Sequence, residues 1–294
     1  IFVEHWIDGF ANNKVSLLEN VRFLPGESDN DETLGKKMAT LFDIFVNDAF
    51  ATAHREQAST CGIAKHIPVC CAGPLFIHEI DSLNQVLKSP MHPIIAIVGG
   101  SKVSTKIGVL KNLSEKVDFL IVGGGIANTL LRAKGVKIGK SLYEHSAIEL
   151  SQDLLKTNKN IVLPTDFLCG KYFQADEKAE LRYLDNVQND DLIMDFGPKS
   201  IENICGLIKK AKTILWNGPV GVFEFNDFAT GTRLIAESVS ASSSYSVAGG
   251  GDTIAAINKF KTEKGVSYIS TAGGAFIEYV EGKKLPAIEA LKIK

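Results

Sequence analysis

Long apolar runs are missing from this sequence. The most hydrophobic stretches, such as Pro93-Ile94-Ile95-Ala96-Ile97-Val98, stop at a glycine, far short of the roughly 20 residues a membrane-spanning helix needs. An excess of charge of either sign is missing too. The formal net charge is -2, so no general field draws the chain to nucleic acid or to an acidic membrane surface, and any anion must be bound by a local arrangement. Cysteine is scarce and unpatterned. Cys61, Cys70, Cys71, Cys169 and Cys205 are odd in number, lack C-x-x-C spacing and include a vicinal pair. That usage excludes a disulfide framework and a cysteine zinc site and, with no signal peptide in view, predicts free thiols in the cytoplasm. His78-Glu79 has Ser82 where a second metal-binding histidine would stand, and no G-x-S-x-G elbow occurs, which excludes zinc-protease and serine-hydrolase chemistry.

What is present is the composition of a folded protein: 45% hydrophobic and 22% charged residues in a chain of 294, a length that predicts about two domains. Short β-rich runs recur at Val15–Leu18, Ile44–Val46, Ile94–Val98, Phe119–Val122, Asn160–Leu163, Thr213–Trp216, Tyr245–Ala248 and Ser267–Ser270. Amphipathic stretches lie between them, at Thr33–Phe42, Lys102–Lys116, Ala127–Lys134, Ser146–Lys156, Ile201–Lys210 and Thr253–Lys264. This alternation predicts an α/β protein, with parallel sheets covered by helices on both faces. Pro74 opens a stretch with Leu75, Ile80, Leu83 and Leu87 near helical spacing, closed by Ser89-Pro90 and Pro93. A helix bounded by prolines between two strand-rich halves reads as a hinge over residues 75–92. The apolar Lys284–Ile288 stretch is expected to dock rather than trail. The strand-like opening Ile1–Glu4 suggests entry in the middle of a domain, and hence a fragment.

The predicted strands of the second half end in glycines: Gly99-Gly100, Gly123-Gly124-Gly125, Gly218 with Gly221, Gly249-Gly250-Gly251 and Gly273-Gly274. In open parallel sheets ligands bind beyond the carboxyl ends of strands, and a following helix N-terminus offers free N–H groups to an anion. Any single turn is equally explained by tight strand-to-helix packing; several together predict a phosphate-bearing ligand. Two common motifs are excluded. Gly135–Ser141 is one residue short of a Walker A loop and follows a predicted helix, and Gly123–Asn128 breaks the dinucleotide fingerprint at Asn128, which sets aside a nicotinamide-dependent oxidoreductase.

Gly99-Gly-Ser-Lys102-Val-Ser-Thr-Lys106 places two lysines at i and i+4, predicted to share one face of a helix's first turn. Cations are unfavourable there because the dipole is positive, so a compensating anion is expected unless both lysines are simply solvated. Asp252, after Gly249-Gly-Gly, suits a helix N-cap or a carboxylate on Mg²⁺ beside phosphate, and the neighbouring glycines favour the metal. Trp216–Glu224 packs an amide, two glycines, a proline and a carboxylate after a strand, enough for an apolar slot for a base with Glu224 on ribose hydroxyls. In the first half, Arg22 and Arg55 stand just beyond predicted strand ends, where guanidinium groups bind phosphate or carboxylate bidentately. Each alone also suits a surface salt bridge.

In order along the chain, LLENVRFLPGE, FVNDAFATAHREQAST, IVGGSKVSTKI, IVGGGIANT, LWNGPVGVFE, AGGGDT and STAGGA resemble phosphoglycerate kinase, from about Ile1 to the C-terminus. The resemblance implies two lobes of Rossmann-like parallel sheet joined by a hinge helix: an incomplete substrate-binding lobe over 1–74, a nucleotide-binding lobe over 93–280, and a segment over 281–294 returning to the first lobe. It implies a cytoplasmic, monomeric glycolytic enzyme that moves a phosphoryl group between 1,3-bisphosphoglycerate with ADP and 3-phosphoglycerate with ATP, aided by Mg²⁺. By the same resemblance Arg22 and Arg55 hold 3-phosphoglycerate. Gly99, Gly100, Lys106, Gly124, Asn217, Pro219, Glu224, Gly250, Gly251, Asp252 and Thr253 serve the nucleotide, Asp252 sits on the Mg²⁺ side, and Lys102 neutralises the phosphoryl group in transfer. The family's earlier Asp-x-Asn and Ser-His-Leu-Gly-Arg-Pro segments do not occur in this chain, so an alternative expectation is a fragment that binds nucleotide without turnover. Ala272 replaces a glycine usual in the STGGGA turn.

Overall fold

The computed structural model describes residues 15–292. The chain forms two compact units, one of residues up to 81 together with those from 283 onward, the other of residues 82–282.

In the first unit, β1 (Ile44–Asn47) and β2 (Val69–Ala72) pair in parallel, Ile44 opposite Val69. Helix α1 (Glu32–Ala39) starts where the Asp31 carboxylate accepts the Leu34 N–H at 2.7 Å, capping a first-turn donor. Its Leu34 and Met38 are buried with Leu24 and with Ile63 and Ile67 around the short helix α2 (Ile63–His66). Buried Glu27 ties the turn before α2 by accepting from the Ser59 N–H at 3.0 Å and the Ser59 hydroxyl at 2.6 Å. Val15–Leu18 is not a strand, contrary to its β-rich pattern. Strands exist through their ladders, and this run has no pairing partner among the described residues; Leu17 is fully exposed. The C-terminal helix Pro286–Leu291 belongs to this unit, with the Ala287 N–H donating to Ala53 O at 3.1 Å. The chain leaves the unit within α3 (Pro74–Leu87), between Asp81 and Ser82.

The second unit carries the main parallel sheet. Its strands are β3 (Ile94–Gly99), β4 (Phe119–Gly123), β5 (Ile161–Val162), β9 (Thr213–Asn217), β10 (Tyr245–Gly249) and β11 (Tyr268–Ser270), in the order β11-β10-β9-β3-β4-β5. The interleaved helices are α4 (Ile107–Ser114), α5 (Gly124–Ala133), α6 (Ile148–Thr157), α7 (Pro198–Lys210), α8 (Thr230–Ser240), α9 (Gly251–Phe260) and α10 (Gly274–Val280). Every residue of β3 and β9 is buried, as central parallel strands require; β3 accordingly reads as an apolar run, and β9 carries Ile214-Leu215-Trp216 between buried Thr213 and Asn217.

Two expectations need correction. The first unit's parallel sheet is only the β1–β2 pair among the described residues, so the chain has one main parallel sheet. The second unit also holds an antiparallel sheet, β7-β6-β8, made of β6 (Asp166–Gly170), β7 (Glu180–Tyr183) and β8 (Leu192–Phe196). Its strands are short and carry charged residues, so beyond the three-residue Leu192-Ile-Met run they lack an apolar pattern that would mark them. Ion pairs supply the missing cohesion: Asp191, 1% exposed, takes Lys171 Nζ at 2.7 Å and Arg182 Nε at 2.9 Å. No helix among the described residues is long and apolar enough to cross a membrane.

Strand order reverses between β3 and β9. From β3 the chain steps outward to β4 and β5, then returns to β9 and proceeds to β10 and β11 on the other side. The chain therefore leaves β3 toward β4 and β9 toward β10, in opposite directions across the sheet, and a crevice opens at the carboxyl ends of the two central strands.

Candidate functional site

A cavity of about 580 Å³ lies at that switch point, within the range of small-molecule sites. One wall is the set of strand-end turns: Gly100 and Ser101 after β3, Gly124 and Gly125 opening α5, Pro219, Gly221, Val222 and Glu224 after β9, and Asp252 in the first turn of α9. The opposite wall is apolar, formed by Leu142, Phe173 and Leu192–Met194 of β8, with Lys140 at its side. Phe173 is 68% exposed and packs at 5.0 Å between ring centroids on Phe225. Sequence reasoning missed this second wall entirely. Its residues come from β8, the Lys140–Leu142 turn and the loop between β6 and β7 that carries Phe173, and the only signal was the apolar Leu192-Ile-Met run before Asp195.

The expected glycine turns are not equivalent. Gly99 opens no path to a ligand: a Cβ there would collide with Pro219 O and stand 2.7 Å from Gly218 C, so the residue is dictated by contact between the β3 and β9 turns. Asn217 and Thr253 are likewise internal. Asn217 Nδ2 donates to Gly249 O at 2.7 Å, while the Thr253 hydroxyl donates to Gly249 O at 2.9 Å and accepts the Gly218 N–H at 2.7 Å. Both side chains are buried and hold β9, β10 and the start of α9 together. At α5 the Gly124 and Ile126 N–H groups already donate to Val220 O and Gly100 O. At α9 matters differ. Its N-cap is Gly250, at φ 98°, and no side chain caps it, so the N–H groups of Gly251, Asp252 and Thr253 have neither an intrahelical acceptor nor a side-chain cap. Asp252 is therefore not the N-cap. It is the second residue of the helix, exposed, with no hydrogen bond or ion pair among the described residues.

Lys102 and Lys106 do not share a helical face. Helix α4 begins at Ile107, and Lys106 is its N-cap residue. The preceding Val103-Ser104-Thr105 run, β-branched or hydroxylated, disfavours helix, and buried Val103 anchors a turn in which Lys106 N–H donates to Val103 O at 2.9 Å. Lys106 turns inward, its ammonium donating to Gly99 O at 2.6 Å, Asn217 Oδ1 at 2.8 Å and Asn217 O at 3.1 Å. Burial depresses its pKa to about 8, against the opposing pull of the Asp252 charge. Lys102 stays exposed and outside the cavity lining, with no side-chain partner among the described residues. In the first unit, Arg22 lies in a short 3-10 turn, not after a strand, and its Nη2 donates to Gln57 Oε1 at 3.4 Å. Arg55 stands two residues before Gln57, exposed and with its guanidinium unpaired among the described residues. The two arginines thus border one segment.

Beneath the cavity floor lies an acid the sequence reading passed over. Asp195 of β8 is 1% exposed and accepts the Gly231 N–H at 2.7 Å and the Phe196 N–H at 2.9 Å. Burial pushes its carboxyl up to about 7.

An open parallel sheet with an uncapped helix terminus and an inward lysine at its switch point defines an α/β protein of the mononucleotide-binding class. Comparison narrows the class. The phosphoglycerate kinase family model matches residues 2–283. The phosphoglycerate kinases of Francisella tularensis subsp. novicida and Francisella philomiragia subsp. philomiragia are 54% and 53% identical to this chain over its whole length, which spans 76% of each. The structure of phosphoglycerate kinase from Coxiella burnetii superposes with a TM-score of 0.91 at 50% identity, covering 93% of this chain and 71% of that one. That of Pyrococcus horikoshii OT3 gives 0.85 at 33% identity, covering 100% and 77%. The chain belongs to the phosphoglycerate kinase family, ATP-binding glycolytic kinases that transfer a phosphoryl group between 1,3-bisphosphoglycerate and ADP.

Proposed function

We propose that the second unit binds the nucleotide with its polyphosphate on the free N–H groups of α9 and its base against Phe173, Leu142 and Met194. The observation that carries this reading is the uncapped first turn of α9 facing a cavity with one apolar wall. Gly100, Gly124, Gly250 and Gly251 bring backbone close to the phosphates, Pro219 and Glu224 meet the ribose, and Gly99, Asn217 and Thr253 act from behind by fixing the turns. Lys106 supplies the buried cation. Asp252 suits Mg²⁺: a lone accessible carboxylate beside a phosphate site is the usual protein share of such a site, the other ligands being water and substrate oxygens. When bound, that ion neutralises charge on the phosphate oxygens. Lys102 is assigned to the phosphoryl group in transfer, and Arg22 and Arg55 to 3-phosphoglycerate. α3, within which the chain passes from one unit to the other, is proposed as the hinge. Because both attacking groups are already anionic, positioning and charge neutralisation do the catalysis without a strong general base.

The full chain tests the reading directly. Calorimetric titration with MgADP should show binding, and a coupled assay with 3-phosphoglycerate and MgATP should show turnover. Absence of MgADP binding at millimolar concentration refutes the nucleotide assignment, and binding without turnover confines the reading to the nucleotide half.

Two more outcomes follow from single groups. Lys106 is cationic below its depressed pKa of about 8 and neutral above it, so MgADP affinity should hold near pH 7 and fall as pH rises through about 8, by up to about tenfold per pH unit. Affinity that stays flat to about pH 9.5 removes Lys106 from the site. Arg55→Ala should weaken 3-phosphoglycerate by about tenfold or more through loss of a charge-assisted pair and leave the MgADP Kd alone; an unaltered 3-phosphoglycerate KM counts against the assignment.

A further inference from the structure

The second unit contains a buried carboxylate that the nucleotide reading leaves without a task. Asp195 makes no ion pair among the described residues, yet burying an acid without a basic partner is costly, so its place in the interior calls for a structural return. Its contacts supply one. Oδ2 accepts the Gly231 N–H at 2.7 Å, and Gly231 is the second residue of α8, a helix that no local side chain caps. Asp195 therefore serves as the cap of α8 from another strand. The same carboxylate occupies the space beside Gly221: a Cβ on Gly221 would fall on Asp195 Oδ1 and Cγ, and a Cβ on Gly231 would collide with the same group. Gly221 lines the cavity from the β9 turn, and Met194, next to Asp195, lines it from β8. Val222 N–H donates to Met194 O at 2.7 Å, and Thr232 Oγ1 accepts from the Val220 and Gly221 N–H groups at 3.3 Å each. Asp195 thus lies where β8, the Pro219–Glu224 turn and α8 meet, one layer behind the cavity lining.

We infer that Asp195 is a positioning residue for the nucleotide: wedged between the β8 wall and the Pro219–Glu224 turn, it sets the width of the cavity without touching what binds there. The inference rests on the nucleotide reading given above. It also explains why Gly221 carries no side chain, since the carboxylate fills that volume.

Asp195→Asn keeps the volume but turns an amide donor toward backbone N–H groups. In the full chain it should raise the MgADP Kd, and the KM for MgATP, by about tenfold or more. The KM for 3-phosphoglycerate and the saturated kcat should stay within about twofold, a split that general loss of stability does not produce. Gly221→Ala should weaken MgADP as well, and adding Asp195→Ala to it should recover binding relative to Gly221→Ala alone, because the methyl group then has room. Wild-type protein that binds no MgADP refutes the nucleotide reading itself. Wild-type binding matched by equal binding in Asp195→Asn, an unrecovered double variant, or an Asp195→Asn chain that does not fold overturns the positioning role alone.

Discussion

Gly99→Ala is expected to destabilise the second unit by about 3 kcal/mol or more and to eliminate MgADP binding. The new methyl group would strike the Pro219 carbonyl and approach Gly218 C at 2.7 Å. Neither atom belongs to a flexible side chain that could swing away, so the overlap must be relieved by separating the β3 and β9 turns. Those turns also hold the Lys106 ammonium, through Gly99 O, Asn217 O and Asn217 Oδ1, so the separation releases the cation as well. Urea unfolding of the full chain alongside MgADP titration checks both effects. A loss of stability under about 1 kcal/mol with binding intact would mean that the turns are not in rigid contact.

Lys102→Ala is expected to lower kcat by about two to three orders of magnitude, the usual cost of removing one preorganised donor from developing charge, while the MgADP Kd changes by less than about twofold. The expectation rests on the contrast between the two lysines. Lys106 is committed to carbonyl oxygens in the protein interior, whereas Lys102 is exposed and its ammonium has no partner among the described residues. Its charge contributes, after the hydrogen bonds from Ser104, to holding Glu144 below the usual carboxylate range, and it remains available for a transferring group. Comparable losses in kcat and in nucleotide affinity would reassign Lys102 to ground-state binding.

Some of this was legible residue by residue. The β-rich runs that became β3 and β9 were legible as strands of a parallel sheet, and the glycines after them marked the edge where the cavity lies. Asp252 after three glycines pointed to the start of α9. The apolar wall was not legible, because Met194 reaches the cavity from a short strand that carries a charged residue of its own, and Phe173 and Leu142 reach it from loops outside any strand. The partition of the glycines was not legible either. Gly99 and Gly251 look alike in the sequence, but one is pressed against Pro219 and the other opens a helix whose amides are free.

Local chemistry was therefore sufficient for the class of fold and the edge of the sheet at which the cavity lies, since each depends on residue type and on spacing along one stretch of chain, and a set of motifs in order along the chain was sufficient for the family. Which side chains line the cavity and which brace its turns from behind followed from contacts between stretches far apart in the chain. Asn217 meets Lys106, Thr253 meets Gly218, and Asp195 meets Gly221 and Gly231. No spacing rule encodes those meetings, because they arise from strand order, and the order reverses between β3 and β9.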